Sequence, residues 1–247
     1  MNTLAKDKIV QLKLESDIYS FTYLKMHSDE NPYVHGELMV KSFLTIVLQM
    51  MVMFLRFDEA ISERHDVTFG TPDVIAVRLA CAFFMHLQLY PEIEVSLKMI
   101  KYAVYHMENF KGGAFYPIII TLVKMTAAIV AEIGSSFLLV QAGSIKLALI
   151  FFMGMSIVAN IDNIMAKTVT NFSIGAEIAK NPIKYKKGVK SFAGDVKEVN
   201  EWIEQGFSKI VFIPAGVILV LNRILTFVFT CVYFYFAPFL VLLFLEQ

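Results

Sequence analysis

The sequence has few charged residues and no excess of either sign. Asp, Glu, Lys and Arg make up only 18% of its 247 residues, and 22 basic side chains balance 22 acidic ones. Soluble domains are nearer a quarter charged, and proteins that bind nucleic acid usually carry a basic excess. We therefore expect neither a water-soluble fold nor a nucleic-acid partner.

Motifs for catalysis and metal binding are also absent from the sequence. It contains no HExxH, GxSxG, Walker A or GxGxxG pattern, and its two cysteines, Cys81 and Cys231, do not form a CxxC pair. The five histidines show no spacing typical of metal ligands. We therefore expect no enzymatic activity, no cofactor and no metal ion.

Hydrophobic side chains, by contrast, are abundant: they make up 57% of the residues and give a mean hydropathy of +0.60. A helix needs roughly 20 apolar residues to cross the ~30 Å hydrocarbon layer of a bilayer. Five stretches meet or approach this length: 38–55, 72–90, 114–140, 144–169 and 210–236. The sequence therefore predicts an all-α fold, a polytopic integral membrane helix bundle with about five transmembrane helices.

The positions of Lys and Arg predict the orientation of this bundle. If the N-terminal segment 1–37 is cytoplasmic, the segments on that side hold 15 of the 22 basic residues, the opposite side holds 3, and four lie within spans. Cytoplasmic loops of membrane proteins are enriched in Lys and Arg. We therefore expect a cytoplasmic N-terminus, and the first residues lack the apolar core of a signal peptide.

Further elements are expected outside the spans. The four-span region 38–169 is predicted to have short loops and a juxtamembrane helix near 91–110, which either continues the second span or lies separately on the membrane. Apolar residues alternate over 10–14 as in a strand, although a helix fits nearly as well. The C-terminal region 210–247 is predicted to be a long transmembrane helix with an interfacial tail.

The segment 170–209 is expected to be a basic cytoplasmic loop with an amphipathic helix at 195–210. A lysine cluster beside an aromatic amphipathic helix is typical of contact with anionic lipid headgroups. The alternative is an ordinary positively charged loop that packs on the bundle. The residues expected at a headgroup contact are Lys184, Lys186, Lys187, Lys190 and Trp202.

Ionisable and amide side chains within the predicted spans are the main candidates for a functional site. In a membrane such groups are costly unless they are paired or hydrated, and they usually face the interior of a bundle. The candidates are Arg78, His86, Lys124, Glu132, Asn160, Asp162, Asn163 and Arg223.

Depth along the helices indicates which of these side chains could meet. We expect Arg78 to pair with Glu132 in the outer half of the membrane and Lys124 with Asp162 in the cytoplasmic half. Arg223 is expected near the midplane, with Glu132 as its nearest acid. The network is either a set of buried ion pairs that fixes helix packing or the lining of a hydrated path.

The predicted function is that of a channel- or carrier-like multi-pass membrane protein. Three central bases outnumber two acids in the spans, which gives a weak preference for anions. The alternative is a non-transporting structural or auxiliary subunit of a larger membrane complex. In either case we expect a homo-oligomer or a membrane complex, because five helices rarely enclose a wide pore alone and small residues permit close packing.

Overall fold

The computed structural model describes residues 8–27, 32–62, 71–106, 109–110, 115–169, 174–180, 182–187, 215–233 and 236–239. Helices dominate these residues, and two short strands accompany them, β1 (Lys8–Leu12) and β2 (Ile183–Lys187). The helices are α1 (Ile18–His27), α2 (Pro32–Ser62), α3 (Pro72–Tyr105), α4 (Phe115–Gln141), α5 (Ile145–Ala159), α6 (Ile161–Lys167), α7 (Ile174–Lys180) and α8 (Ala215–Phe227). A π-helical turn (Val228–Tyr233) continues α8, and a short 3-10 turn (Ala237–Phe239) follows.

Among the described residues, three helices are long and apolar enough to cross a membrane. The candidate spans are Gly36–Leu55 in α2, Pro72–Val104 in α3 and the whole of α4. Helices α5 and α6 together qualify as a fourth span that is bent by 46° between Ala159 and Ile161. The chain is therefore mostly helical with three or four candidate membrane spans, which supports a membrane protein, and the predicted number of about five is not confirmed.

The second span runs on as one helix through the segment predicted near 91–110. Helix α3 begins at Pro72, where the missing amide hydrogen costs no helical hydrogen bond, and it continues past Pro91 to Tyr105. Ile93 and Leu97 are buried against the bundle. Because this packing offsets the cost of an internal proline, the segment forms no separate surface helix within the described residues.

Helix α1 lies inside the bundle rather than on its surface. Every residue from Ile18 to Met26 is buried, and the helix contacts α2, α4, α6 and α7. Its apolar side chains join a core with Met99 of α3 and Ile120 of α4. The N-terminal segment predicted as a simple cytoplasmic extension therefore fills one end of the helix bundle, which we call the α1 end.

The two strands connect the N-terminal segment to the segment after the fourth candidate span. β1 and β2 are antiparallel, with Lys8 opposite Lys187 and Leu12 opposite Ile183. The alternating apolar residues therefore form a strand, and the fold contains a small β-pair that the all-α prediction omitted. The amphipathic helix predicted at 195–210 lies outside the described residues.

Helix α4 is the centre of the bundle. It contacts α1, α2, α3 and α5. Its buried residues include Ala128, Ala131, Gly134 and Ser135, and small side chains let membrane helices approach one another closely. Helix α8 packs against α3.

Candidate intramembrane charge network

Lys124 of α4 is the central cation of the α1 end. Its side chain is 1% exposed, and Nζ donates to Asp17 Oδ2 at 2.7 Å, to Ser20 Oγ at 3.3 Å and to a carboxylate oxygen of Glu15. Asp17 also begins α1, because its carboxylate accepts hydrogen bonds from Ser20 N at 2.8 Å and from Ser20 Oγ at 2.7 Å. The ammonium group therefore holds the start of α1 inside the bundle.

Two further acids surround this ion pair. Asp162, in the first turn of α6, is 2% exposed and interacts electrostatically with Lys124 and Asp17. Glu92 of α3 also acts on Lys124. Asp162 thus lies near Lys124, as predicted. The acids that accept the hydrogen bonds of Lys124, however, are Asp17 and Glu15, which belong to a segment predicted to lie outside the spans.

The acids outnumber the base in this cluster. Four carboxylates, of Glu15, Asp17, Glu92 and Asp162, accompany one ammonium group. Within the described residues, Asp162 Oδ1 has no hydrogen-bond partner. Like charges in a buried site repel one another, and among the described residues of this cluster the negative charges exceed what Lys124 alone compensates.

Hydroxyl groups of α1 make hydrogen bonds to the surrounding helices. Tyr19 OH donates to Gln49 Oε1 of α2 at 3.0 Å, and Tyr23 OH donates to the Met99 carbonyl of α3 at 2.8 Å. Thr22 Oγ1 and Ser42 Oγ lie 2.9 Å apart. Burial raises the pKa of both tyrosines, and the nearby acids Asp162 and Asp17 raise that of Tyr19 further. The phenols therefore stay neutral and keep their role as donors.

Glu132 of α4 belongs to a second cluster, nearer the opposite end of the bundle. Its Oε1 lies 2.6 Å from His86 Nδ1, and its Oε2 accepts a hydrogen bond from Tyr233 OH in the π-helical turn. His86 is 1% exposed and Glu132 is 2% exposed. This cluster joins α3, α4 and the turn after α8, and π-helical turns are frequent at functional sites.

Arg78 does not pair with Glu132, in contrast to the prediction. Its Nε and Nη2 donate to the Ala142 carbonyl at 3.1 Å and 2.8 Å, and the side chain is fully buried. Ala142 directly follows the last residue of α4. A cation is favourable there because the carbonyl groups at a helix C-terminus lack helical partners and carry partial negative charge.

The two predicted asparagines lie at the bend of the fourth candidate span. Asn160 Nδ2 donates to the Ser156 carbonyl at 2.7 Å, and Asn163 Nδ2 donates to Asn160 Oδ1 at 3.0 Å. Ser156 Oγ in turn donates to Gln88 Oε1 of α3 at 3.0 Å. These residues stabilise the junction of α5 and α6 and link it to α3, so the geometry places them at a structural bend.

Arg223 lies away from both buried clusters. Its side chain is exposed and lines a groove beside Glu94, Lys98 and Lys101 of α3. Tyr233, ten residues later, is the residue that reaches Glu132. At ~1.5 Å per helical residue, this separation puts Arg223 on the order of 15 Å from the level of Glu132, and the expected midplane position of Arg223 stays a prediction.

The residues predicted to contact lipid headgroups are only partly described. Lys184, Lys186 and Lys187 lie in β2, and the side chain of Lys184 is exposed. Lys190 and Trp202 fall outside the described residues. A headgroup contact at this loop stays a prediction.

Several residues of the clusters escaped the sequence reasoning. Glu15 and Asp17 precede the first predicted span, and Gln49, Gln88 and Tyr233 were not among the selected candidates. One available signal was Asp17, which stands directly before an aromatic and apolar stretch as a helix N-cap does.

Among the described residues, no group of three His, Cys, Asp or Glu side chains could hold a metal ion. No protein family, no curated protein and no solved structure matches the chain. The site must therefore be interpreted from its own chemistry.

Proposed function

We propose that the chain is a channel- or carrier-like membrane protein whose path is closed at one end by its own helix α1. The observation that carries this proposal is the complete burial of Ile18–Met26 between helices that carry buried polar side chains as well as apolar ones. The lysine and arginine distribution of the sequence would place the α1 end on the cytoplasmic side.

Buried polar residues of the surrounding helices support a path in addition to the apolar core. A helix that only filled a membrane protein would meet apolar and small side chains. Here α1 packs on apolar side chains, and the surrounding helices also carry polar residues that are at most 2% exposed. Such residues in spans commonly line ion or proton pathways. These polar residues are Ser42, Thr45, Gln49, Thr121, Lys124 and Asp162.

The charges of the α1 end favour protons or small cations as the transported species. With α1 in place, four carboxylates accompany Lys124. If α1 leaves with Glu15 and Asp17, Asp162 and Glu92 remain and still outnumber the single base. The weak anion preference expected from the sequence stays untested, and the acids of this cluster argue against it.

The alternative function, a non-transporting subunit of a larger membrane complex, has its own support. Arg78, Glu132 and Lys124 each have partners at hydrogen-bond distance within the chain, as expected for a network that only fixes helix packing. The outward face of α2 is strongly apolar, with Phe43 69% and Phe54 73% exposed, and such a face suits lipid or another membrane subunit.

The two functions differ in what the purified chain does in liposomes. We expect low proton and potassium flux for the wild type and a rise of at least about tenfold for Glu15→Gln/Asp17→Asn, because losing both carboxylates releases Lys124 from the start of α1 and removing partners of a buried ion pair is strongly destabilising. The matched control is Glu37→Gln, which removes the acid of an exposed pair with Lys41 at 2.7 Å and should leave the flux unchanged.

Flux that stays at the level of empty liposomes for all three proteins, with unchanged thermal unfolding profiles, would contradict a transport function. Size-exclusion chromatography in a gentle detergent then supports the subunit function if the chain consistently co-elutes with unrelated proteins. A self-assembled oligomer of this chain alone supports the channel-like function.

We further propose that α8 and its π-helical turn form part of a fifth crossing. The contact of Tyr233 with Glu132 and the burial of Ala237 (2% exposed) support a chain that continues from the groove at Arg223 toward the opposite end of the bundle. The exposed side chains of Ile224 and Phe227 suit a lipid environment.

A further inference from the structure

The groove between α3 and α8 adjoins the cluster of His86 and Glu132 through Tyr90, whose ring packs on His86, but it contains neither of those two residues. It has a volume of about 550 Å³ and opens to the surface of the bundle. The polar side chains that line it are Tyr90, Glu94, Lys98, Lys101, Arg223 and Thr226. None of these takes part in the proposed path, so the groove calls for an explanation of its own.

The described side chains that line the groove carry more basic than acidic groups. Lys98 Nζ forms an ion pair with Glu94 Oε1 at 2.5 Å on the same helix, and Lys101 and Arg223 are further bases of this lining. Among the described residues, the lining thus carries three bases and one acid. A guanidinium group presents two parallel N–H donors, which match the oxygens of a phosphate group.

The remaining walls of the groove are apolar. Ile93 and Leu97 come from α3, and Phe227 and Phe229 come from α8 and its π-helical turn. Phe227 is 64% exposed. One surface therefore offers cations beside hydrocarbon, which is the arrangement that a phospholipid requires.

The position of the groove along α3 fits the boundary between headgroups and hydrocarbon. It lies between Tyr90 and Lys101, past the most apolar half of α3 and toward the α1 end. Tyr and basic side chains are enriched at this level of membrane proteins, where long cationic side chains reach the headgroup layer. This location also explains how an arginine is accommodated in the apolar stretch 216–229.

We propose that the groove binds an acidic glycerophospholipid. Lys101 and Arg223 contact its phosphate, and one acyl chain lies along Leu97 and Phe227. The site is distinct from the basic loop at 184–190, and it does not depend on whether the chain transports an ion.

The test is native mass spectrometry of the full chain released from nanodiscs that contain equal amounts of phosphatidylglycerol and phosphatidylcholine. We expect the wild type to retain phosphatidylglycerol preferentially and Lys101→Gln/Arg223→Gln to lose that preference by about tenfold or more, since each basic residue near a membrane surface contributes appreciably to anionic lipid binding. Lys146→Gln, an exposed lysine at the opposite end of the bundle, is the matched control and should retain the lipid like the wild type.

Three results would overturn the proposal. The first is equal retention of phosphatidylglycerol by the wild type and the double variant, or by the wild type and the single variant Arg223→Gln if the double variant does not fold. The second is loss of retention in Lys184→Gln with the double variant unaffected, which would move the site to β2. The third is thermal stabilisation by inorganic phosphate equal to that by the lipid, which would show a free-anion site instead.

Discussion

Among single residues, Lys124 has the largest expected effect on the structure through its buried ammonium group. It is 1% exposed and is held by two carboxylates of a segment more than 100 residues away in the sequence. A buried charge of this kind adds little net stability when it is paired but becomes costly when a partner is removed. The pair therefore determines where α1 sits rather than how stable the whole bundle is.

Replacing Lys124 alone should destabilise the chain. Lys124→Met leaves the buried Asp17 and the partly buried Glu15 without their cation, and we expect a loss of about 3–5 kcal/mol in the free energy of unfolding, measured by denaturant titration in detergent. Lys124→Met/Glu15→Gln/Asp17→Asn should recover more than half of that loss, because the uncompensated charges are gone.

The control for this series is Lys146→Met, an exposed lysine whose loss should change the free energy of unfolding by less than about 0.5 kcal/mol. A triple variant that is less stable than Lys124→Met would show that the carboxylates do not act through Lys124.

For single residues, the sequence predicted burial more accurately than it predicted contacts between side chains. Arg78, His86, Lys124, Glu132 and Asp162 are all buried, as expected for ionisable residues within spans. The predicted partners of these residues were mostly wrong. An estimate based on depth along the spans considers only side chains within the spans, so it misses backbone acceptors such as the Ala142 carbonyl and acids carried by another segment.

Among the helices and strands, α1 differs most from the prediction, because it is buried within the bundle. Its aromatic and apolar side chains leave no polar face of the kind that a surface helix has, and a helix that is hydrophobic on all sides is usually buried. The sequence therefore contained a signal for burial, but the short length of the helix and its position before the first span hid it. The bend at Asn160 was equally hard to predict, since the stretch 144–169 is long and apolar enough overall to predict one continuous span.

The docking of α1 should weaken in acid through His27 at its end. His27 Nε2 lies 2.8 Å from Tyr102 OH, and its ring packs on Phe110. Burial lowers the pKa of His27 from its ordinary 6.5, and the nearby His106 lowers it further. Since the neutral form is favoured in the docked state, the stability that His27 contributes is complete above pH 6.5 and is lost as the pH falls through the lowered pKa.

Hydrogen exchange of the α1 amides, corrected for the intrinsic rate at each pH, measures this effect. We expect α1 to be protected less at pH 5.5 than at pH 7.5, while the amides of α4 keep their protection. His27→Gln should remove most of the difference in α1 protection between pH 7.5 and pH 5.5. If this variant loses as much protection at pH 5.5 as the wild type does, the pH dependence comes from other groups, such as the acids around Lys124.

For the whole molecule, hydropathy located the candidate spans, while the number of about five crossings and the cytoplasmic N-terminus stay predictions. The stretches 38–55, 72–90, 114–140 and 144–169 all coincide with helices or helix pairs of the bundle, because hydropathy is a local property of the chain. The β1–β2 pair and the insertion of α1 depend on contacts between distant segments, which periodicity does not encode.

The orientation can be measured with cysteines at the two ends of the bundle. Lys184→Cys and Lys146→Cys both replace exposed lysines. In intact cells a membrane-impermeant maleimide should label only Lys146→Cys, and Lys184→Cys should react after permeabilisation, because basic segments are retained in the cytoplasm. The wild type, with Cys81 buried, provides the background, and the reverse labelling pattern would invert the topology.

The pairing of β1 with β2 has a consequence for how the chain is made. The ribosome synthesises Lys8–Leu12 before any span, yet the strand that completes it, Ile183–Lys187, emerges only after all four candidate spans. β1 therefore cannot pair with β2 until the candidate spans have been synthesised, so this strand pair forms late in the assembly of the described bundle.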